Sequence, residues 1–261
     1  MPTPKLKDAY AAAMDRIGNA AAKSGRDASD VLTVAVSKYT DMPQVRELIE
    51  LGHADFGENQ GQQLSQRAPQ AQEFLQRKRQ LGGVDDDDDD NGNDAAPGGL
   101  PERVRWHMVG HLQRNKVKQV APLVDLVHSV DSLRLAEELH AFGNKKDMVI
   151  DVLLQVNISG EATKHGIAAP AVRHIVDQMD LMMHLRLRGL MTMAPHEAGE
   201  DELRSIFRRT RELFEEARAQ DASPPEFNIL SMGMSNDFEI AIEEGSNCIR
   251  LGRALFGEPP A

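Results

Sequence analysis

The sequence predicts a single (β/α)8 barrel of the TIM type, preceded by one extra N-terminal helix. Three observations predict it. Eight short apolar runs alternate with helical patterns, at spacings suited to βα units. Each run closes on a polar residue. At 261 residues the chain is long for an ordinary domain and normal for one barrel. A doubly wound open sheet is the alternative, but it usually has fewer strands. Nothing points to a second domain, so residues 1–261 read as one barrel domain.

In order, the chain opens with an alanine-rich helical stretch from about Lys5 to Lys23, stopped by Ser24-Gly25. Val31-Leu-Thr-Val-Ala-Val-Ser37 follows, continuous, rich in valine and read as a strand buried on both faces. It runs directly into Lys38. Asp41-Met-Pro43 then opens a helical pattern through Leu51. Ala54 to Asn59 is a second strand, and a helix from about Gln60 to Arg79 comes next.

Between Leu81 and Pro101 the composition changes. Six adjacent aspartates, Asp85 to Asp90, are followed by Asn, Gly and Pro. Such charge density repels and offers nothing apolar to bury, so residues 81–101 read as a disordered acidic insertion. The spaced ligands and distal Glu of an EF-hand are missing, and no metal site is expected.

Val104 to Val109 is the third strand, ending at Gly110-His111, with a helix expected over Leu112 to Val120. Leu123 to Val130 is the fourth, closed by Asp131-Ser132 as an N-cap for a helix through Phe142. Met148 to Val156 is the fifth, ending at Asn157, and Ala169 to Met179 is helical. Leu185 to Met191 is the sixth, ending at Thr192-Met193. Glu202 to Ala219 carries helical spacing in Leu203, Ile206, Leu213 and Phe214. Phe227 to Leu230 is the seventh strand, Asp237 to Glu244 is helical, and Asn247 to Leu251 is the eighth strand.

Composition narrows the function classes. The net charge of -11 argues against a nucleic-acid or anionic-membrane surface. One cysteine, Cys248, excludes an internal disulfide and fits a reducing compartment, so a cytoplasmic location is expected. Residues Met1 to Tyr10 lack the apolar core of a signal peptide.

In a parallel α/β protein, ligands bind at the carboxyl ends of the strands. The polar residues there include Lys38, Asn59, His111, Ser129, Asn157, Thr192, Ser231 and Arg250. Each alone reads more readily as a loop or capping residue, and Lys38 alone as a solvated lysine. Their convergence on one rim favours a site. A lysine with its stem against apolar walls can lose its proton and attack an aldehyde. Leu230-Ser-Met-Gly-Met-Ser235 follows the seventh strand and precedes a helix, with Gly233 allowing close backbone approach and Ser235 placed as an N-cap. Free N–H groups at a helix start bind phosphate, and the eighth strand adds Arg250-Leu-Gly252-Arg253. Asp237, in the first helical turn, would repel a phosphate unless it points away. A lysine after the first strand facing a phosphate site after the last two is the constellation for pyridoxal 5′-phosphate.

The motifs Ala35-Val-Ser-Lys38, Phe56-Gly-Glu-Asn59, Gly110-His-Leu-Gln-Arg-Asn-Lys116, Val156-Asn-Ile-Ser-Gly-Glu161, Lys164-His-Gly166, Gly189-Leu-Met-Thr-Met193, Leu230-Ser-Met-Gly-Met-Ser235 with Asp237, and Arg250-Leu-Gly-Arg253 give the chain a specific resemblance. It resembles the pyridoxal phosphate homeostasis proteins, once called proline synthase co-transcribed homologues, which are similar to the N-terminal barrel of alanine racemase. The resemblance implies that Lys38 carries the cofactor as a Schiff base. It implies that Ser235, with the backbone of Gly252 and Arg253, holds the phosphate, and that Arg250 faces the pyridine nitrogen. Met234 and Asn59 would line the ring, and Ser231 belongs to the same set.

Three functions compete. The first is a cofactor carrier or regulator in vitamin B6 homeostasis with no substantial turnover, working as a monomer and passing the cofactor to dependent apoenzymes. The second is an amino-acid racemase, which needs a second base on the opposite cofactor face. The chain has only Tyr10 and Tyr39. The third is a decarboxylase of the same superfamily, which uses an added β domain absent here. Arginine is always protonated, so a pyridine beside Arg250 stays unprotonated and is a poor electron sink. The expectation is therefore the non-catalytic role.

Overall fold

The computed structural model describes residues 4–82, 99–161, 165–219 and 226–257. Residues 83–98 of the acidic insertion and Lys164 of the Lys164-His-Gly166 motif lie outside the described residues.

Eight parallel strands close into a barrel. They are β1 (Leu32–Val36), β2 (Asp55–Glu58), β3 (Arg105–Met108), β4 (Leu126–Val130), β5 (Ile150–Asn157), β7 (Leu185–Met191), β8 (Ile229–Met234) and β9 (Cys248–Leu251). Each pairs with the next, β4 pairs with β5, and β9 returns to β1, where Leu32 to Ala35 lie opposite Cys248 to Leu251. A two-residue strand, β6 (Ile167–Ala168), lies against the end of β5 and was not expected from sequence.

The helices are α1 (Pro4–Lys23), α2 (Met42–Glu50), α3 (Gly61–Gly82), α4 (Val117–Val120), α5 (Leu133–Lys146), α6 (Val172–Asp180), α7 (Glu200–Arg218), α8 (Phe238–Glu243) and α9 (Arg253–Phe256). In α2, the Asp41 side chain accepts from the Gln44 N–H at 3.1 Å and Pro43 sits in the first turn, so both N-terminal signals operate. In α7, Leu203, Ile206, Phe207, Thr210, Leu213, Phe214 and Ala217 form one buried stripe. Each large apolar side chain buried this way contributes roughly 1.5–3 kcal/mol. The extra helix α1 packs on α8 and α9 through Ala13, Ile17, Ala20 and Ala21, with Arg16 gripping Glu239 at 2.9 and 2.7 Å.

Several expected elements differ. The fourth helix shrinks to a 3₁₀ turn, Arg114–Lys116, and the short α4, because Pro122 follows directly. The helix opened by Ser132 runs past Phe142 to Lys146, and Ser132 makes no side-chain cap bond. The stretch Ser-Met-Gly-Met belongs to β8 and is not a loop. Gly233 there has φ of +96°, and a Cβ would meet that of Ala241 at 2.6 Å and the Cα of Phe238 at 2.9 Å. The strand therefore bulges between Ser231 and Met234 and bends onto α8. Gly189 has the opposite duty: a Cβ would strike the Ile229 carbonyl oxygen at 1.8 Å, so only glycine lets β7 and β8 pair there.

Candidate functional site

The carboxyl ends of the strands surround a cleft of about 900 Å³. Lys38 after β1, Asn59 after β2, Met234 and Ser235 at the end of β8, and Arg250, Gly252 and Arg253 of β9 and its following turn all line it. Seven of the eight residues singled out for cofactor binding thus face one space, on the rim where barrels carry their sites.

Lys38 is half-buried, and its Nζ lies 4.7 Å from the centroid of the Tyr39 ring. The loop that carries it is braced from below. Ser37 donates from Oγ to Glu58 Oε1 at 2.6 Å, and Arg67 of α3 donates to Glu58 and to the carbonyls of Ser37 and Thr40. The two carbonyls flank Lys38-Tyr39, so one guanidinium fixes the loop on both sides. Sequence reading missed Arg67 because its partners lie 9 to 30 residues away.

Ser235 does not cap α8. That helix opens at Asp237, whereas Ser235 Oγ accepts from the N–H groups of Gly252 at 3.2 Å and Ala254 at 3.1 Å. The bond joins the loops after β8 and β9. Asp237 turns back on its own loop, accepting from the Met234 N–H at 2.5 Å. One carboxylate oxygen is thereby engaged by the backbone, while Asp237 still lines the cleft. Burial pushes the Asp237 carboxyl up, opposed by that N–H and by Arg250.

Arg250 is buried and hydrogen-bonded on two sides, to Ser231 Oγ at 2.5 Å and to the Thr192 carbonyl at 2.8 Å. Burial pushes its guanidinium below the usual arginine range. Ser231 is the one expected site residue that does not line the cleft. It lies behind Arg250, fully buried, with His128 Nδ1 at 3.0 Å. Asn59 presents a buried Oδ1 with no partner among the described residues.

The other strand-end residues divide. Ser129 and Thr192 bond the carbonyls of Gly110 and Val156, and Asn157 bonds the backbone of Gly160 and Glu161, so all three secure loops. His111 and His165 line the cleft and both address Asp131 Oδ2, at 2.9 and 3.4 Å. Their rings stack at 4.2 Å and 19°. His111 hydrogen-bonds Asp131, His165 lies at ion-pair distance from it, and the three donor groups lie within 4.8 Å of one another.

The comparisons with known proteins bear on the family and the fold. The family model of the alanine racemase N-terminal domain matches residues 90–260. A pyridoxal phosphate homeostasis protein of Aquifex aeolicus is 33% identical over 249 residues, covering 94% of each chain. A solved structure described as an unknown protein from Bifidobacterium adolescentis superposes with a TM-score of 0.82 at 30% identity, covering 96% of this chain and 94% of that one. PipY of Synechococcus elongatus, solved with PLP bound, superposes with a TM-score of 0.68 at 29% identity, covering 87% and 93%.

Proposed function

The chain belongs to the pyridoxal phosphate homeostasis protein family, and we propose that it holds pyridoxal 5′-phosphate on Lys38 in the rim cleft, without substantial turnover. The observation that carries this reading is the placing of Lys38, Arg250 and the Ser235–Gly252 junction around one cleft. When bound, the cofactor supplies an aldehyde for a lysine amine and an electron-withdrawing pyridine ring.

The residues present fit that group. Lys38 offers the amine from a braced loop. Ser235 and the backbone of Gly252 and Arg253 would hold the phosphate, the Gly252 N–H leaving Ser235 Oγ to do so. Arg250 can only donate, so it meets the ring nitrogen as an acceptor and keeps the ring a weak electron sink. Asn59 and Met234 line the ring, and the unpartnered Asn59 Oδ1 remains to orient a donor.

The two tyrosines support the carrier role over the racemase. Tyr10 is held in α1 with its hydroxyl 3.3 Å from His53 Nδ1, and it does not line the cleft. Tyr39 shares the loop of Lys38 and stacks on its amine, so both groups approach from one side. No helix among the described residues is long and apolar enough to cross a membrane. A cytoplasmic monomer that delivers cofactor to dependent apoenzymes completes the reading.

The test is borohydride reduction of the loaded protein followed by peptide mapping. The pyridoxyl label is expected on Lys38, and its recovery only on other lysines refutes the assignment.

A further inference from the structure

A line of hydrogen bonds crosses the barrel interior from Arg250 to the opposite end. Ser231 Oγ lies 2.5 Å from Arg250 Nη1 and 3.0 Å from His128 Nδ1. His128 Nε2 lies 3.0 Å from His107 Nδ1, and His107 Nε2 lies 3.1 Å from Asp55 Oδ1. Arg105 closes the far end, gripping Asp55 at 2.7 and 2.5 Å. Five strands contribute, and Asp55, His107, His128, Ser231 and Arg250 are all buried.

With both imidazoles neutral, the direction of these bonds follows from the ends. Arg105 keeps Asp55 a carboxylate, which only accepts. His107 must therefore carry its proton on Nε2. A neutral His107 then accepts at Nδ1, so His128 must carry its proton on Nε2. His128 in turn accepts at Nδ1, which takes the single proton of Ser231. The serine oxygen is left as an acceptor facing Arg250. Burial, the largest cause, holds His128 well below its ordinary range, and the Arg250 charge adds to it, so it is neutral.

We infer that His128 is a positioning residue for the cofactor, setting Ser231 as the acceptor that orients Arg250 toward the cleft. The role of Arg250 rests on the reading that Lys38 and Arg250 hold pyridoxal 5′-phosphate. The tautomer of His128 does not rest on it.

Long-range 1H–15N correlation spectra of the histidine-labelled protein without cofactor test the second point. The Nε2–H form is expected for His128. An Nδ1–H or doubly protonated His128 overturns the inference. For the first point, His128→Leu should weaken pyridoxal 5′-phosphate binding about tenfold, the scale of one hydrogen bond to a charged group. It should also move the visible absorption band of the bound cofactor. His128→Gln keeps a donor and an acceptor and should recover most of both. A variant that melts lower yet keeps the wild-type affinity and band shows a structural role only and overturns the positioning role. If wild-type protein binds no pyridoxal 5′-phosphate, the functional reading fails and takes this role with it, while the tautomer is still decided by the spectra.

Discussion

The guanidinium of Arg67 pairs with the carboxylate of Glu58 directly beneath the loop that carries Lys38. Glu58 is fully buried and Arg67 is 14% exposed. Removing one partner of such a pair leaves a buried charge and costs roughly 3–5 kcal/mol. Arg67→Met should therefore lower the melting temperature by roughly 10 °C in a chain of this size. It should also loosen cofactor binding, since the Ser37 and Thr40 carbonyls lose their clamp. Thermal melts and cofactor titration check both, and an unchanged pair of values contradicts the clamp.

Asp55 governs stability in acid. Burial alone would raise its pKa, but hydrogen bonds from Arg105 and His107 outweigh that and hold it well below the usual carboxylate range. A group with a depressed folded pKa stabilises above its unfolded value, near about 4, and loses that contribution as pH falls. Urea unfolding from pH 7 to pH 3 should show stability declining below about pH 4. Asp55→Asn should be less stable at pH 7 and show a flatter acid limb. A variant whose curve keeps the wild-type slope would remove Asp55 as the source.

Turnover should be negligible. Racemisation takes a proton from one cofactor face and returns one to the other, and Tyr39 directly follows Lys38 with its ring 4.7 Å from the Lys38 amine. Incubating loaded protein with L-amino acids in deuterium oxide should give little Cα–H exchange and no measurable D-isomer. Rates near about 1 s⁻¹, inside the ordinary enzyme range, would restore the racemase.

Much of this was legible in the sequence. The runs that became β1 and β5 are short and mostly apolar, and strands buried on both faces read that way. The end of β8 was not legible, because Ser231-Met-Gly-Met has the composition of a turn, and only the close approach of Gly233 to Phe238 and Ala241 makes it strand. Ser235 was expected at the site and lines the cleft, but it does not cap α8 as expected, since its partners lie 17 and 19 residues on. Lys38 and Arg250 announce themselves by sitting at strand ends. Asp55, His107 and His128 do not. They are polar residues inside strands, and nothing short of the closed barrel shows that they meet.

The segment between α3 and β3 should be dispensable for the fold. Its flanks are already tied, because Arg79 donates to the Pro101 carbonyl at 2.7 Å. Closure cost grows slowly with loop length, so replacing residues 83–98 with a short Gly-Ser linker should leave the melting temperature within about 2 °C. A larger fall would mean that the segment packs or binds an ion.

That tie has a practical corollary. The junction from a helix into the next strand lies on the barrel face away from the cleft, so Gly82 and Gly99 form an address on the blind side of the molecule. A fluorophore, an affinity handle or a tether for single-molecule work attached there would leave the cleft mouth clear. Relatives could lengthen or recode that junction without any change in how tightly the other end grips its ligand.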